Sequence, residues 1–170
     1  MGRHLPIVAV LAVQVGVLGF IVGRQLYARA AGVPVTLRTA PIDPYDVMSG
    51  YYLDLAYEVE RDAREQVPPG LERGECIWLN LRKAPEAWEL VSVTREPDAA
   101  ADDHVSLPAV RKRFGVRLHG AGRLYLPETQ RRRAGDRVRE GPDRGLVDLR
   151  VLGGTIAVVR LRLGDETFGE

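Results

Sequence analysis

The chain has 170 residues, a length that suits one membrane segment followed by one domain of ordinary size. Its formal net charge is +1, so no overall electrostatic field favours nucleic acid, and we expect no nucleic-acid partner. Cys76 is the only cysteine, which excludes an intrachain disulfide and a multi-cysteine metal site, and its apolar neighbours predict a buried, inert thiol.

The N-terminal segment Leu5–Gly23 is apolar over 19 residues except for Gln14. A membrane-spanning helix needs about 20 such residues, whereas the apolar centre of a secretory signal has roughly 7–15. We therefore expect an uncleaved anchor in the cell membrane, with residues 1–30 forming the anchor and a juxtamembrane linker. Cleavage after Ala30, at the small-x-small sequence "ARA", is the competing interpretation. Arg24, Arg29 and Arg38 follow the segment and only Arg3 precedes it, so a simple positive-inside count places the domain in the cytoplasm. Long domains translocate largely regardless of flanking charge, and the signal-like N-terminus favours an extracytoplasmic domain on a single-pass anchor.

Two elements follow the anchor. Residues 34–39 predict a short strand leaving the membrane. In "APIDPYDVMSG", Asp43 can cap a turn of helix whose first residue is Pro44, and Asp46 stands three residues after the cap, as in a capping box. Gly50 would end that turn in a conformation that glycine adopts at little cost.

Residues 49–60, "SGYYLDLAYEVE", alternate without a fault between two faces and predict a strand. One face should pack against the core and the other should meet water. The predicted core face consists of Tyr51, Leu53, Leu55, Tyr57 and Val59, and the predicted solvent face consists of Tyr52, Asp54, Ala56, Glu58 and Glu60.

The remaining elements are also mainly strands. Residues 76–83 and 87–95 predict two strands joined by the tight connection "APE", and residues 114–128 begin as a further strand. Pro127 and Glu128 should open a short helix that ends at Gly135. The pair Gly153-Gly154 between two alternating runs predicts a hairpin over residues 146–163. We therefore predict one mainly β, mostly antiparallel domain over residues 31–170, with one or two short helices.

Charge is unevenly distributed along the domain. Residues 40–103 carry a net charge of −9 and residues 111–144 a net charge of +7. One interpretation is two solvated faces that partly neutralise each other. The other is a basic patch for anionic lipid or an acidic partner, with Arg131, Arg132 and Arg133 as its centre.

The sequence contains few of the patterns that carry enzyme chemistry. It has no phosphate loop, "HGAG" lacks the third glycine of a dinucleotide site, and "DDH" at 102–104 is more typical of a solvated loop than of a metal site. We expect neither a metal nor a cofactor. One enzyme hypothesis stays open, a membrane-bound hydrolase of signal-peptidase type with Ser49 as nucleophile and Lys83 as base. Such a mechanism needs a lysine whose pKa is lowered by burial, so that its amine is neutral. Lys83 lies at a polar strand end, where the sequence does not predict that burial.

The stretch "PIDPYDVMSGYYLDLAYE" resembles bacterial membrane proteins named for their GDYXXLXY motif, which usually carry a DPRDLLRGDY-like lead-in. "RLYLPE" at 123–128 is similar to the family's later "RYFVPE" block, and the closing hairpin is similar too. The departure is Tyr51, which stands at the motif's acidic position. The matching residues are the candidates for a binding site: Asp43, Pro44, Asp46, Gly50, Tyr52, Leu55, Tyr57, Tyr125 and Glu128.

The resemblance implies a membrane-anchored, non-enzymatic binding or assembly module of the bacterial envelope. Family members often occur beside multi-pass membrane proteins, which implies a partner of that kind. Tyr52 has two explanations, because it lies on the predicted solvent face of its strand. It could contact a partner through its ring and hydroxyl, or the segment "LYLPE" could cover it and give it a structural role.

Overall fold

A computed structural model describes residues 5–40, 52–98, 102–140 and 145–169. The fold is mainly β and antiparallel, as predicted, with an N-terminal apolar helix and three short helical segments. The helices are α1 (Leu5–Ala31), α2 (Glu58–Asp62) and α3 (Glu128–Glu140), with a 3-10 turn at Ala63–Gln66. The strands are β1 (Val33–Arg38), β2 (Tyr52–Asp54), β3 (Cys76–Arg82), β4 (Glu89–Thr94), β5 (His104–Lys112), β6 (Gly115–Leu118), β7 (Arg123–Tyr125), β8 (Leu146–Leu152), β9 (Thr155–Leu163) and β10 (Glu166–Gly169).

Helix α1 is longer than the apolar run that predicts it. Its segment Ile7–Ala31 is long and apolar enough to cross a membrane by length and composition, with a mean hydropathy of 2.2. The residues predicted as a juxtamembrane linker are a helical continuation of this segment. Their last turns pack on the domain, where Ala28 is fully buried.

The junction between α1 and the domain is tightly fitted. Arg24 donates a hydrogen bond to the Thr155 hydroxyl at 2.5 Å, and Gln25 donates to the Ile156 carbonyl at 3.2 Å. Gly32 ends the helix, and a Cβ there would collide with the Ala28 carbonyl oxygen and with the backbone of β8. The absence of a side chain at this position lets β1 turn directly onto the sheet.

The strands form two four-stranded sheets and one small sheet. The first sheet has the order β1-β8-β9-β10, the second β4-β3-β5-β6, and β2 pairs with β7 alone. The predicted C-terminal hairpin is confirmed as β8 and β9. Gly153 and Gly154 have φ angles of +53° and +76°, the left-handed conformations that a two-residue hairpin turn of this kind requires.

One hydrophobic core joins the sheets, because each strand turns its alternate apolar residues inward. Leu37, Leu149 and Leu161 from the first sheet lie in the same cluster as Ile77 and Leu107 from the second. The small sheet and α2 close this core with apolar side chains of the 49–60 segment, all of them buried: Leu53, Leu55, Tyr57 and Val59.

The predicted strand 49–60 is only partly confirmed. Within the described residues β2 ends at Asp54, Tyr57 forms an isolated bridge with Thr39, and α2 begins at Glu58. The alternation in burial persists up to Val59, but Glu60 is buried instead of facing water. The helix explains the change, since the Glu60 carboxylate turns back to accept the Tyr57 N–H at 3.2 Å.

Two further predictions were wrong, and strand β5 was not predicted at all. Pro108 stands in the middle of β5, where its carbonyl accepts the His119 N–H at 2.8 Å just past the end of β6. Helix α3 starts at Glu128 as predicted but continues past Gly135, because a helical glycine costs only about 1 kcal/mol and Ala134 packs into the core. Cys76 is exposed, since it lies on the outer face at the start of β3.

Candidate functional site

A cavity of about 700 Å³ opens where α1 meets the small β2–β7 sheet. We call it the anchor cavity. It lies beside the end of α1 that packs on the domain, and β6, β7, β9 and the start of α3 supply its other walls. Its polar and aromatic lining includes Gln25, Arg29, Asp54, Lys112, Arg117, Arg123, Tyr125 and Gln130.

The β2–β7 pairing sets the side chains on one wall of this cavity. Tyr52 lies opposite Tyr125, and Asp54 lies opposite Arg123. Between these pairs Leu53 and Leu124 face each other and are buried. A two-stranded sheet with its central pair turned inward must present its flanking pairs on the other face.

Tyr52 is enclosed by two residues of the later sequence block. Its ring packs edge-on against the Tyr125 ring, with centroids 6.0 Å apart. The Arg123 guanidinium lies over the same ring, 4.5 Å from its centroid. Tyr125, from "LYLPE", covers part of Tyr52, which stays half-buried, and Tyr125 itself is 67% exposed at the cavity wall. The structural role and the partner contact both stay open as explanations of Tyr52.

Arg117 joins two carboxylates behind that wall. It donates to Asp54 at 2.7 Å and lies 3.7 Å from the Glu60 carboxylate. The other Glu60 oxygen accepts the Leu118 N–H at 2.7 Å. Burial raises the pKa of Glu60, and the Leu118 amide and Arg117 oppose that rise by favouring its charged form.

The charged residues in the described lining of the anchor cavity are mostly cationic. The lining contains Arg29, Lys112, Arg117 and Arg123 and a single carboxylate, Asp54. Arg29 also donates to the Val158 carbonyl at 3.3 Å, which fixes its side chain against β9. An opening of this composition favours an anionic group on whatever enters it.

The candidate residues Leu55 and Tyr57 have structural positions. Leu55 is fully buried, and its N–H donates to the Gly122 carbonyl at 2.9 Å. Tyr57 is 1% exposed and donates its hydroxyl to the Ala121 carbonyl at 2.7 Å. Burial raises the pKa of Tyr57, so the hydroxyl stays a donor at all ordinary pH values. These residues hold the 121–122 segment beside the anchor cavity.

Other candidates lie outside the described residues or away from the cavity. Asp43, Pro44, Asp46, Ser49, Gly50 and Tyr51 all lie outside the described residues. The structure therefore gives no Ser49–Lys83 geometry, and it shows Lys83 exposed just beyond the end of β3.

The candidates on α3 lie at its start and along its first turns. Glu128 begins the helix and pairs with Arg132 at 3.3 Å. Arg133 pairs with Glu166 of β10 at 3.4 Å, and the Arg131 side chain is not among those described. The predicted lipid patch at Arg131, Arg132 and Arg133 thus contains arginines with carboxylate partners, and it stays a prediction.

Sequence reasoning missed Arg29, Arg117 and Glu60 as neighbours of the site. Arg29 and Arg117 carry no local signal, because only the tertiary fold brings α1 and β6 together. Glu60 did carry one, since a glutamate three residues after the N-cap, which is Tyr57 here, is typical of a helix start. The alternating pattern of residues 49–60 concealed it.

The loop 102–104 holds a polar pair. His104 Nδ1 lies 2.7 Å from the Asp103 carboxylate. Within the part of the chain that the structure describes, no group of three or more His, Cys, Asp or Glu side chains is arranged to hold a metal ion.

Comparison with known proteins gives one result. The family model described as "GDYXXLXY protein" matches residues 14–161, which is most of the chain and includes much of α1 and the whole anchor cavity except its C-terminal edge at Gly169. No curated protein and no solved structure matches the chain.

Proposed function

Because the chain belongs to the GDYXXLXY family, we propose that it is a membrane-anchored, non-enzymatic binding module of the bacterial envelope, with a multi-pass membrane protein as its partner. In this proposal α1 is retained as a single-pass anchor and the β domain lies on the extracytoplasmic side. The anchor cavity is the contact site.

The observation that carries the proposal is the convergence of three separate parts of the sequence on one cavity. The last turns of the candidate membrane span supply Gln25 and Arg29, the motif strand supplies Asp54, and the later block supplies Arg123 and Tyr125. A cavity beside the end of a membrane helix can be reached by the loops of a neighbouring membrane protein without any large movement of the domain.

The chemistry of the cavity indicates what such a loop would carry. The cationic lining favours an acidic segment, because carboxylates can pair with guanidinium groups through two hydrogen bonds at once. Tyr125 offers exposed ring area and a hydroxyl, which suits it to anchor a contact. We infer that the partner presents an acidic loop that packs against Tyr125.

Affinity purification of the full chain from mild detergent, with partners identified by mass, tests the contact. Tyr125→Ala and Arg123→Glu should each release the co-purifying membrane protein, whereas the control Arg95→Glu changes an exposed arginine elsewhere and should retain it. Thermal unfolding of each variant separates loss of contact from loss of fold. Equal recovery of the partner with all three variants would overturn the proposed site.

The side of the membrane has a direct test, because Cys76 is the only cysteine in the sequence and is exposed. A membrane-impermeant maleimide should label it in intact spheroplasts if the domain is extracytoplasmic. Cys76→Ser provides the unlabelled control. Labelling that requires lysis of the spheroplasts would place the domain in the cytoplasm.

A further inference from the structure

The turn between β5 and β6 presents an exposed aromatic ring among basic side chains. Phe114 is 78% exposed, the largest exposed fraction among the described large hydrophobic residues. Lys112 and Arg113 beside it are also exposed, and the Arg113 guanidinium lies 5.1 Å from the ring centroid. Arg111 completes the sequence "RKRF", which we call the basic turn.

The end of the domain nearest the membrane span can be identified from contacts. Arg24, just after the apolar run, bonds to Thr155 at the start of β9. The β8–β9 turn is therefore at the level where α1 leaves the bilayer. Trp78 of β3 lies against that turn, since a Cβ on Gly154 would be only 3.0 Å from its ring.

Strand β5 of the second sheet extends beyond the level of Trp78. Trp78 lies opposite Pro108 on β5, and Cys76 lies opposite Val110. Strand β5 continues past both pairs to Lys112 before it turns. Lys112 also lines the anchor cavity together with Gln25 of α1. The basic turn thus projects from the end of the domain at which the membrane helix enters.

We propose that the basic turn is a second membrane contact, which docks on anionic headgroups of the leaflet at which α1 ends. The aromatic ring of Phe114 enters the headgroup region, and Arg111, Lys112 and Arg113 pair with lipid phosphates. The inference rests on the proposed retention of α1 as a membrane span. Phenylalanine is one of the residues that insert at the membrane interface from segments with a basic polar face. Each basic residue near an anionic leaflet changes the equilibrium constant for docking by roughly fivefold.

This site differs from the arginines of α3. Arg133 and Arg137 both approach Glu166, which is opposite Leu163 at the far end of β9 from Thr155. Helix α3 therefore extends away from the level of Arg24. The basic turn combines basic residues, an exposed ring and proximity to α1, so it is the better placed of the two for lipid.

Spin labels on the full chain in lipid nanodiscs test the proposal. In a Cys76→Ser background, Phe114→Cys places a nitroxide on the basic turn, and Asp102→Cys places the control label just before the other end of β5. Oxygen and a water-soluble nickel chelate report the depth of each label. Intact mass of the same samples first establishes that α1 is present.

With α1 present and anionic lipid in the disc, the label at position 114 should be protected from the nickel chelate and accessible to oxygen, and the label at 102 should show the reverse. Replacing Arg111, Lys112 and Arg113 together by serine should reduce the equilibrium constant for docking by about a hundredfold, the product of three fivefold terms. The label at 114 should then become accessible to the nickel chelate. Equal nickel accessibility at 114 and 102 in the parent protein would overturn the second contact while leaving the anchor intact. A missing α1 would instead overturn the proposal on which it rests.

Discussion

Tyr57→Phe removes a single hydroxyl from the centre of the motif and keeps the ring. The hydroxyl donates to the Ala121 carbonyl at 2.7 Å, and both groups are buried. A neutral hydrogen bond is worth about 1 kcal/mol net, and the carbonyl left without a donor adds a desolvation cost, so the variant should lose about 1–3 kcal/mol. For the larger single domains, each 1 kcal/mol lost from the free energy of unfolding lowers the melting temperature by about 2–4 °C.

Thermal and urea unfolding of the full chain in detergent measure this loss, with Tyr125→Phe as the matched control. Tyr125 is 67% exposed, so removal of its hydroxyl should change stability by less than about 0.5 kcal/mol. Because the pKa of Tyr57 is raised, its contribution should not vary with pH between about 4 and 9. An unchanged unfolding midpoint for Tyr57→Phe would refute the assignment of this motif residue to the scaffold of the cavity.

Three other predictions follow from the same structure. Leu55→Ala should cost roughly 2–5 kcal/mol as a fully buried truncation, and the exposed neighbour Asp54→Ala should cost far less; equal losses in urea unfolding would contradict the burial pattern. Burial opposes the ionisation of Asp148, but hydrogen bonds from three neighbours lower its pKa, so its stabilisation is present above about pH 4 and lost as pH falls further. Asp148→Asn should flatten that acid slope. An uncleaved anchor predicts an intact mass that includes Leu5–Gly23, whereas a mass beginning at Ala31 would show a signal peptide.

The parts of the fold that could be predicted are those with strong local periodicity. The apolar run of α1 and the hairpin at Gly153-Gly154 depend on neighbouring residues alone, and both are confirmed. The misses have tertiary causes. Pro108 is tolerated in β5 because it lies beside the point where β6 ends. Glu60 is buried because Leu118, far away in sequence, supplies an amide for its carboxylate.

The candidate site, like the fold, has parts that local sequence predicts and parts that depend on tertiary packing. The described motif residues predicted to face the core are buried, since a period of two determines which side chains share a face. Residues that line the anchor cavity from other elements, such as Arg29 and Arg117, could not be identified, because α1 and β6 become neighbours only when the sheets pack. The motif therefore indicated the β2–β7 wall of the cavity, to which its strand β2 contributes Asp54.

The rigid junction between α1 and the sheet links the two proposed contacts. Arg24, Gln25 and Arg29 all bond to β9, and Gly32 admits no side chain, so the domain has little freedom to rotate about the end of its helix. With α1 retained as the proposed span, these contacts would hold the anchor cavity at one height above the bilayer. A basic turn docked on the same leaflet would remove the remaining freedom. Both contacts then reduce the entropy that a membrane partner must overcome to bind, which is the advantage of preorganisation.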